Sequence, residues 1–292
     1  MLEQFSIQNI ETSGATIRLR KGGSGPPMLL LHGYPQTHVM WHKILPALAR
    51  EYTVVAADLR GYGDSSKPPG GDRHAAYSFR EMARDQVEVM AALGFEEFCL
   101  VGHDRGARVA HRMMLDYPEA VKKAVLMDIA PTLAMYEKTD MAFAAGYYHW
   151  FFLIQPFDLP ERLIGADPEF FLRRKLKRGV KAEGAFAANA MEEYIRCFSN
   201  PKTIHATCED YRAAAGIDLA HDRADLGRRI ETPLHVLWGE LGLVGKQFDA
   251  LAEWRSVATD VTGRSLPCGH YLAEELPEET TGDILNFFRM RK

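Results

Sequence analysis

Two glycines bracket a single carboxylate in the stretch Gly102-His103-Asp104-Arg105-Gly106, preceded by Phe98-Cys99-Leu100-Val101 and followed by Ala107-Arg108. A short apolar run entering such a turn predicts a strand that bends sharply into a helix. This is the nucleophile-elbow pattern, with Asp at the position that more often carries Ser. The glycines fit because the strained turn leaves no room for side chains two residues to either side. Asp104 is then expected at the carboxyl end of a sheet, over a helix N-terminus that favours its negative charge. A plain N-cap Asp after a strand would look the same locally, so the rest of the chain has to decide.

Two further sites follow in the order nucleophile, acid, histidine that α/β-hydrolases use. Asp128 ends the apolar run Lys123 to Met127, and His270 follows Pro267-Cys268-Gly269 before the last helical segment. A carboxylate beside an imidazole holds its tautomer and stabilises the cation that forms. Glu240, after Leu234 to Trp238, is the alternative acid. Asp128 is preferred because it sits immediately after its strand. Upstream, Leu31-His32-Gly33-Tyr34-Pro35 is placed to bring backbone N–H groups toward the nucleophile, as an oxyanion hole requires; the donors expected are those of Tyr34 and Arg105. Asp58-Leu59-Arg60-Gly61-Tyr62-Gly63-Asp64-Ser65 reads as a turn-forming loop whose Asp and Arg are structural.

An aspartate nucleophile narrows the chemistry. Displacement at a saturated carbon by Ser would leave an ether that water cannot cleave, whereas Asp leaves an ester that His270 can help hydrolyse. Arg105 and Arg108 lie three residues apart on one helical face. Two guanidinium groups so near the nucleophile suit a substrate carboxylate, which Arg grips bidentately; pairing with nearby acids is the structural alternative.

Here the chain resembles the fluoroacetate (haloacetate) dehalogenases of the α/β-hydrolase superfamily. The resemblance covers nearly the whole chain and rests on His32-Gly33-Tyr34-Pro35-Gln36-Thr37, Gly102-His103-Asp104-Arg105-Gly106-Ala107-Arg108, Tyr148-His149-Trp150-Phe151 and Cys208-Glu209-Asp210-Tyr211-Arg212. Haloalkane dehalogenases and epoxide hydrolases usually carry Trp where Arg105 stands. The resemblance implies Asp104 as nucleophile, His270 as base and Asp128 as its partner, with Arg105 and Arg108 on the substrate carboxylate. It further implies His149, Trp150 and Tyr211 as halide-binding donors, a homodimer, and no metal or organic cofactor. Tyr34 departs from the family's more usual Phe, which leaves a backbone role intact. An imidazole, an indole N–H and a phenol would meet a departing halide without placing a competing anion nearby. Taken alone, His149 and Trp150 read as core packing and Tyr211 as a lid-helix surface residue. The implied activity is hydrolysis of short 2-haloacids, fluoroacetate first among them. The rival enzyme is an epoxide hydrolase with the same triad and lid tyrosines such as Tyr148 and Tyr211. A non-catalytic rival is a ligand-sensing receptor of the same fold.

The elements that must position these residues are legible as a rhythm. Apolar, β-rich runs at Met28 to Leu31, Thr53 to Ala57, Phe98 to Val101, Lys123 to Met127 and Leu234 to Trp238 read as buried parallel strands. Ser78 to Leu93 and Arg105 to Tyr117 have helical spacing between them. Phe5 to Ile10 and Ala15 to Leu19, joined by Thr12-Ser13-Gly14, predict an antiparallel hairpin. The expected fold is an α/β-hydrolase fold: a mostly parallel, doubly wound sheet with an antiparallel N-terminal hairpin and an inserted helical lid. Residues 1–130 form the first part of the core, 131–229 the aromatic-rich lid and 230–292 the second part of the core.

The 292 residues, 47% hydrophobic and 25% charged, exclude wholesale disorder. A formal charge of -4 supplies no broad positive field, so nucleic acid is not an expected partner. The basic cluster Arg173, Arg174, Lys175, Lys177, Arg178 and Lys181 reads as a solvated helix face, with steering of a small anion as the alternative. Cys99, Cys197, Cys208 and Cys268 have no zinc spacing and read as buried free thiols. Met1 to Gly14 has no apolar core of a signal peptide, and Met141 to Ile154 is too short for a bilayer. A cytoplasmic location, no membrane association and a small anionic haloacid as partner are therefore expected.

Overall fold

The computed structural model describes residues 2–290. Eight strands form one sheet: β1 (Ser6–Glu11), β2 (Thr16–Gly22), β3 (Pro27–Leu31), β4 (Thr53–Ala57), β5 (Phe98–His103), β6 (Val121–Met127), β7 (Leu234–Gly239) and β8 (Val261–Leu266). Their order across the sheet is β1-β2-β4-β3-β5-β6-β7-β8. β2 pairs antiparallel with β1 and β4, and the remaining pairs are parallel. Both the hairpin edge and the parallel body therefore agree with the sequence reading. β8 was not anticipated. Its sequence Val-Thr-Gly-Arg-Ser-Leu buries little beyond its two end residues, as suits an edge strand carried by pairing to β7 more than by apolar pattern.

The central strands β3, β5 and β6 are buried almost throughout, as a sheet covered on both faces requires. Helix α1 (Phe79–Ala92) begins with a Ser-x-x-Glu box, in which Ser78 Oγ accepts from the Glu81 N–H at 3.3 Å. It ends at Gly94, whose positive φ of 83° lets the chain reverse. Its buried residues Phe79, Met82, Ala83, Gln86, Val89 and Met90 recur every three or four positions. Helix α2 (Arg105–Asp116) is buried from Arg105 to Leu115, because it packs between the sheet and neighbouring helices. Gly106 makes that packing possible: a Cβ there would lie 2.2 Å from the Leu31 carbonyl oxygen.

Between Met127 and Leu234 the described residues contain helices and no strand. Three of them matter below: α3 (Tyr148–Leu153), α4 (Pro168–Gly179) and α5 (Pro201–Ala213). α4 and α5 start alike, with Pro at the first helical position and a capping Asp167 or Asn200 side chain that accepts from the Phe170 or Lys202 N–H at 3.0 Å. The loop after β4 is structural as read. Asp58 accepts from the His38 and Asp64 amides, and Arg60 grips Asp85 through two 2.6 Å bonds. All four cysteines are buried and free. No helix among the described residues is long and apolar enough to cross a membrane. Met1, Arg291 and Lys292, at the outer bounds of the two core segments, lie outside the described residues.

Candidate active site

Asp104 stands at the β5–α2 turn with φ 48° and ψ -115°, a left-handed conformation that a non-glycine residue adopts only when its surroundings enforce it. Gly33 approaches so closely that a Cβ would meet the Asp104 Cβ at 2.4 Å, which brings the loop after β3 onto the carboxylate. The Tyr34 amide donates to Asp104 Oδ1 at 2.9 Å. The Arg105 amide opens α2, where the first N–H groups have no intrahelical acceptor. His32, whose Nε2 accepts from the Leu59 amide at 3.1 Å, ties the same loop to the end of β4.

On the other side, His270 Nε2 lies 3.6 Å from Asp104 Oδ2. Its Nδ1 is 2.5 Å from Asp128 Oδ2. Asp128 itself has positive φ (52°) at the end of β6, and its second oxygen accepts from the Gly239 amide at 2.9 Å. Glu240, the rival acid, is exposed. The His270 carbonyl is 2.7 Å from His103 Nε2, so the loop after β8 is fastened to the elbow. Burial alone would raise the Asp104 pKa, but the His270 imidazole and the cations nearby outweigh it and hold the carboxyl well below the usual range. A buried, ionised carboxylate one imidazole away from a second carboxylate is equipped for nucleophilic attack followed by water activation.

The two arginines are placed differently. Arg105 spends Nε and Nη2 on Asp210: Nε donates to Oδ2 at 2.8 Å, and Nη2 donates to the carbonyl at 3.0 Å and to Oδ1. Its guanidinium carbon lies 4.3 Å from the Tyr211 ring centre and 4.7 Å from that of Phe79. Nη1 donates to no acceptor among the described residues. Arg108 donates to Thr132 Oγ1 at 2.9 Å and the Ala130 carbonyl at 3.3 Å, lies 4.7 Å over the Trp150 ring, and buries an Nε with no acceptor among the described residues. Asp210, which also accepts from Tyr62 Oη at 2.5 Å, had no role in the sequence reading. Its pairing with Arg105 spans 105 residues, and no local pattern announces it.

The helical segment contributes His149 and Trp150 from α3 and Tyr211 from α5, all buried. Trp150 Nε1 and Tyr211 Oη are buried donors without an acceptor among the described residues. Unmet buried donors are costly and call for a partner. The His149 ring stacks on Tyr34 and meets Tyr211 edge-on at centroid distances of 5.9 and 5.7 Å. Burial, reinforced by Lys175, pushes its pKa well below 6.5, so it is a neutral imidazole with a single N–H. Burial raises the Tyr211 phenol well above 10, so it remains an O–H donor. Tyr148 is 38% exposed, with the Arg178 guanidinium over its ring, whereas the neighbouring Tyr147 meets His270 edge-on at 6.3 Å. Among the described residues no group of three or more His, Cys, Asp or Glu could hold a metal ion.

The basic cluster corrects the sequence reading at one position. Arg173, Arg174, Lys177, Arg178 and Lys181 are exposed, but Lys175 is only 6% exposed and lines the cavity with His149 and His270. Helical periodicity put it on the inner face with Leu172 and Leu176, a signal hidden by its charged neighbours. Burial lowers its pKa to about 8, against the opposing pull of Asp104.

With this geometry in view, the relatives are informative. Residues 26–277 match the family described as alpha/beta hydrolase fold. A fluoroacetate dehalogenase from Burkholderia sp is 46% identical over 98% of this chain and 95% of its own length. A soluble epoxide hydrolase from Corynebacterium sp. (strain C12) is 33% identical over 91% of each. A solved alpha/beta hydrolase structure from Nostoc sp PCC 7120 is 60% identical over 100% of both chains, with a TM-score of 0.99. An eight-stranded sheet with one antiparallel hairpin, an aspartate at the elbow and near full-length identity to a dehalogenase lead to one assignment: the chain belongs to the α/β-hydrolase superfamily, in the family of the haloacetate dehalogenases.

Proposed function

We propose that this protein hydrolyses short 2-haloacids, with fluoroacetate giving glycolate and fluoride, through an aspartyl ester on Asp104. The observation that carries the reading is the buried, ionised Asp104 at the elbow, with the Tyr34 amide on one oxygen and His270 near the other. In the first step the free oxygen of Asp104 displaces halide from C2 of the substrate. Its electron pair forms the new C–O bond, and the C–halogen pair leaves as halide. In the second, His270 takes a proton from water, whose oxygen attacks the Asp104 carboxyl carbon. The Tyr34 and Arg105 amides receive the oxyanion, and Asp128 stabilises the imidazolium. As the tetrahedral intermediate collapses, the imidazolium returns its proton to the departing alkoxide oxygen, which leaves as glycolate, and Asp104 gives up the other water proton to solvent and is again a carboxylate.

The free Nη1 of Arg105 and Nε of Arg108 are the donors for the substrate carboxylate, and His149, Trp150 and Tyr211 those for the halide. The arginines lie against Tyr211 and Trp150, so carboxylate and halide are bound a few ångströms apart, as a two-carbon acid requires. Residues 131–229 serve as the lid that carries the halide donors. Asp210 acts as a positioning residue, holding Nε and Nη2 of Arg105 and leaving Nη1 uncommitted.

One turnover in oxygen-18 water with enzyme in excess tests the mechanism, run alongside release assays on fluoroacetate, chloroacetate and styrene oxide. The heavy isotope is expected in the peptide containing Asp104, and His270→Ala is expected to release at most one halide per site and accumulate the alkylated carboxylate. Label confined to the product would overturn the ester. Turnover of styrene oxide alone would assign the site, with Tyr147 and Tyr211 as proton donors, to the epoxide hydrolases.

A further inference from the structure

The cavity of about 310 Å³ at Tyr147, His149 and His270 has an asymmetric wall. Four cations line it: Lys175 at its buried end, with Arg178, Lys181 and Lys246 more outward. The two walls have different origins, since Arg178 and Lys175 lie one turn apart on α4 and Lys246 comes from the segment after β7. Among the described residues no carboxylate lines this cavity. Lys175 is nine-tenths buried, and among the described residues no carboxylate or carbonyl accepts a hydrogen bond from its ammonium; Nζ lies 5.8 Å from the centre of the Tyr34 ring. The ionisable groups whose charge it feels are Asp104, Asp128 and Arg178. A buried ammonium normally demands a paired, hydrogen-bonded anion, and here that position is open toward the cavity.

We propose that Lys175 is a specificity-determining residue, the inner cation of a basic entrance that admits carboxylate substrates and lends them a third positive contact beside Arg105 and Arg108. The proposal rests on the haloacid reading but differs from it in mechanism. Arg105 and Arg108 lie against Tyr211 and Trp150, whereas Lys175 lines the cavity with His149 and His270 and with Arg178, Lys181 and Lys246. A molecule carrying one negative charge meets Arg178, Lys181 and Lys246 first, then Lys175, and finally the site. A channel of one sign of charge concentrates the oppositely charged ligand and speeds its capture. An uncharged molecule of the same size gains nothing from that route, so the entrance filters for anions before any bond is broken. The ammonium serves the halide end as well: beside His149 it helps to keep that imidazole neutral. His149 is thereby left with the one N–H that a halide can use.

Calorimetric titration with acetate and with uncharged acetamide, neither of which can be dehalogenated, tests the role independently of turnover. Lys175→Met is expected to weaken acetate at least about tenfold while the acetamide affinity stays within about twofold, and Lys175→Arg is expected to restore most of the acetate affinity. Equal losses for both ligands, or no loss for either, would overturn the proposal, because Lys175 would then be packing alone. Should Lys175→Met fail to fold, the exposed double variant Arg178→Gln/Lys246→Gln carries the test: its acetate association rate should fall and lose most of its dependence on ionic strength. A rate and salt slope equal to the parent's would overturn the entrance. Chloroacetate turnover by the same parent reports separately on the proposed activity: acetate binding that depends on Lys175 without haloacid turnover would sink the dehalogenase reading and leave the anion entrance standing.

Discussion

Trp150 Nε1 and Tyr211 Oη are buried donors without an acceptor among the described residues, and the proposed halide role makes a specific demand on them. Fluoride is the poorest leaving group among the halides and the most strongly hydrated, so its departure depends most on donors that replace water as charge develops. Trp150→Phe removes one N–H and keeps most of the ring over which Arg108 lies. Loss of a donor aimed at developing charge costs about 10²–10³ in rate. That loss is expected for fluoroacetate, with a much smaller one for chloroacetate. The ratio of the two kcat/KM values is the measurement, since a folding defect lowers both together. An unchanged ratio would make Trp150 lid packing. Asp210 shows why single residues must be read with their partners: the sequence offered a substrate carboxylate or a nearby acid as the partner of Arg105, and the folded protein gives Nε and Nη2 to Asp210 and leaves Nη1 uncommitted.

At the scale of elements, the elbow is a packing solution whatever chemistry Asp104 performs. Strand β5 and helix α2 meet at an angle that only small residues permit, and the Gly106 position abuts the carbonyl at the end of β3. Gly106→Ala forces a Cβ against backbone that cannot move aside, which costs about 1–3 kcal/mol or more and displaces the Tyr34 amide from Asp104. A lower melting temperature and a loss of halide release beyond the fraction unfolded are expected together. Gly282→Ala is the control. In the final helix, Pro277–Arg289, its Cβ would meet nothing within 4 Å, so the helix should gain about 0.4–1 kcal/mol. A Gly106→Ala protein as stable and active as Gly282→Ala would refute the steric account. The same element-level logic explains Lys175, where one turn of α4 carries both exposed cations and a buried one.

Across the whole molecule, the helical segment is joined to the sheet through a buried acid. Glu274 accepts from Gln36 Nε2 at 2.5 Å in the loop after β3 and from Tyr194 Oη at 3.0 Å in the helical segment. Lys43 Nζ donates to the Glu274 carbonyl at 2.7 Å and to the Ala185 carbonyl at 2.6 Å, so the same junction is fastened twice. Burial raises the Glu274 carboxyl from its ordinary 4.5 to about 8. A carboxyl whose pKa is higher folded than unfolded contributes stability fully below about 4.5 and loses it as pH rises toward 8, because the unfolded chain ionises first. Glu274→Gln has no proton to lose. Its stability relative to the parent, read from urea midpoints, should therefore improve steadily between pH 4.5 and 8 and level off above. A difference independent of pH would show that Glu274 is ionised in the folded protein.

What the amino-acid sequence determined by itself was whatever depends on near neighbours along the chain. Glycines two residues from Asp104 report a turn without room for side chains, Asp128 follows an apolar run that had to be a strand, His270 follows the turn-forming Pro267-Cys268-Gly269, and Ser78 with Glu81 caps a helix within four residues. Their identities also restrict the chemistry, because in displacement at a saturated carbon an aspartate would leave an ester that water can cleave and a serine an ether that it cannot. The tertiary structure decided what depends on residues far apart in sequence. Asp210 claims Nε and Nη2 of Arg105 across 105 positions, Tyr147 and not Tyr148 meets His270, Lys175 leaves the solvated face for the cavity, and β8 is held by its pairing with β7. In each case the deciding free energy is burial or pairing against a partner supplied by another element, and side-chain type and spacing do not contain that information until the chain has packed.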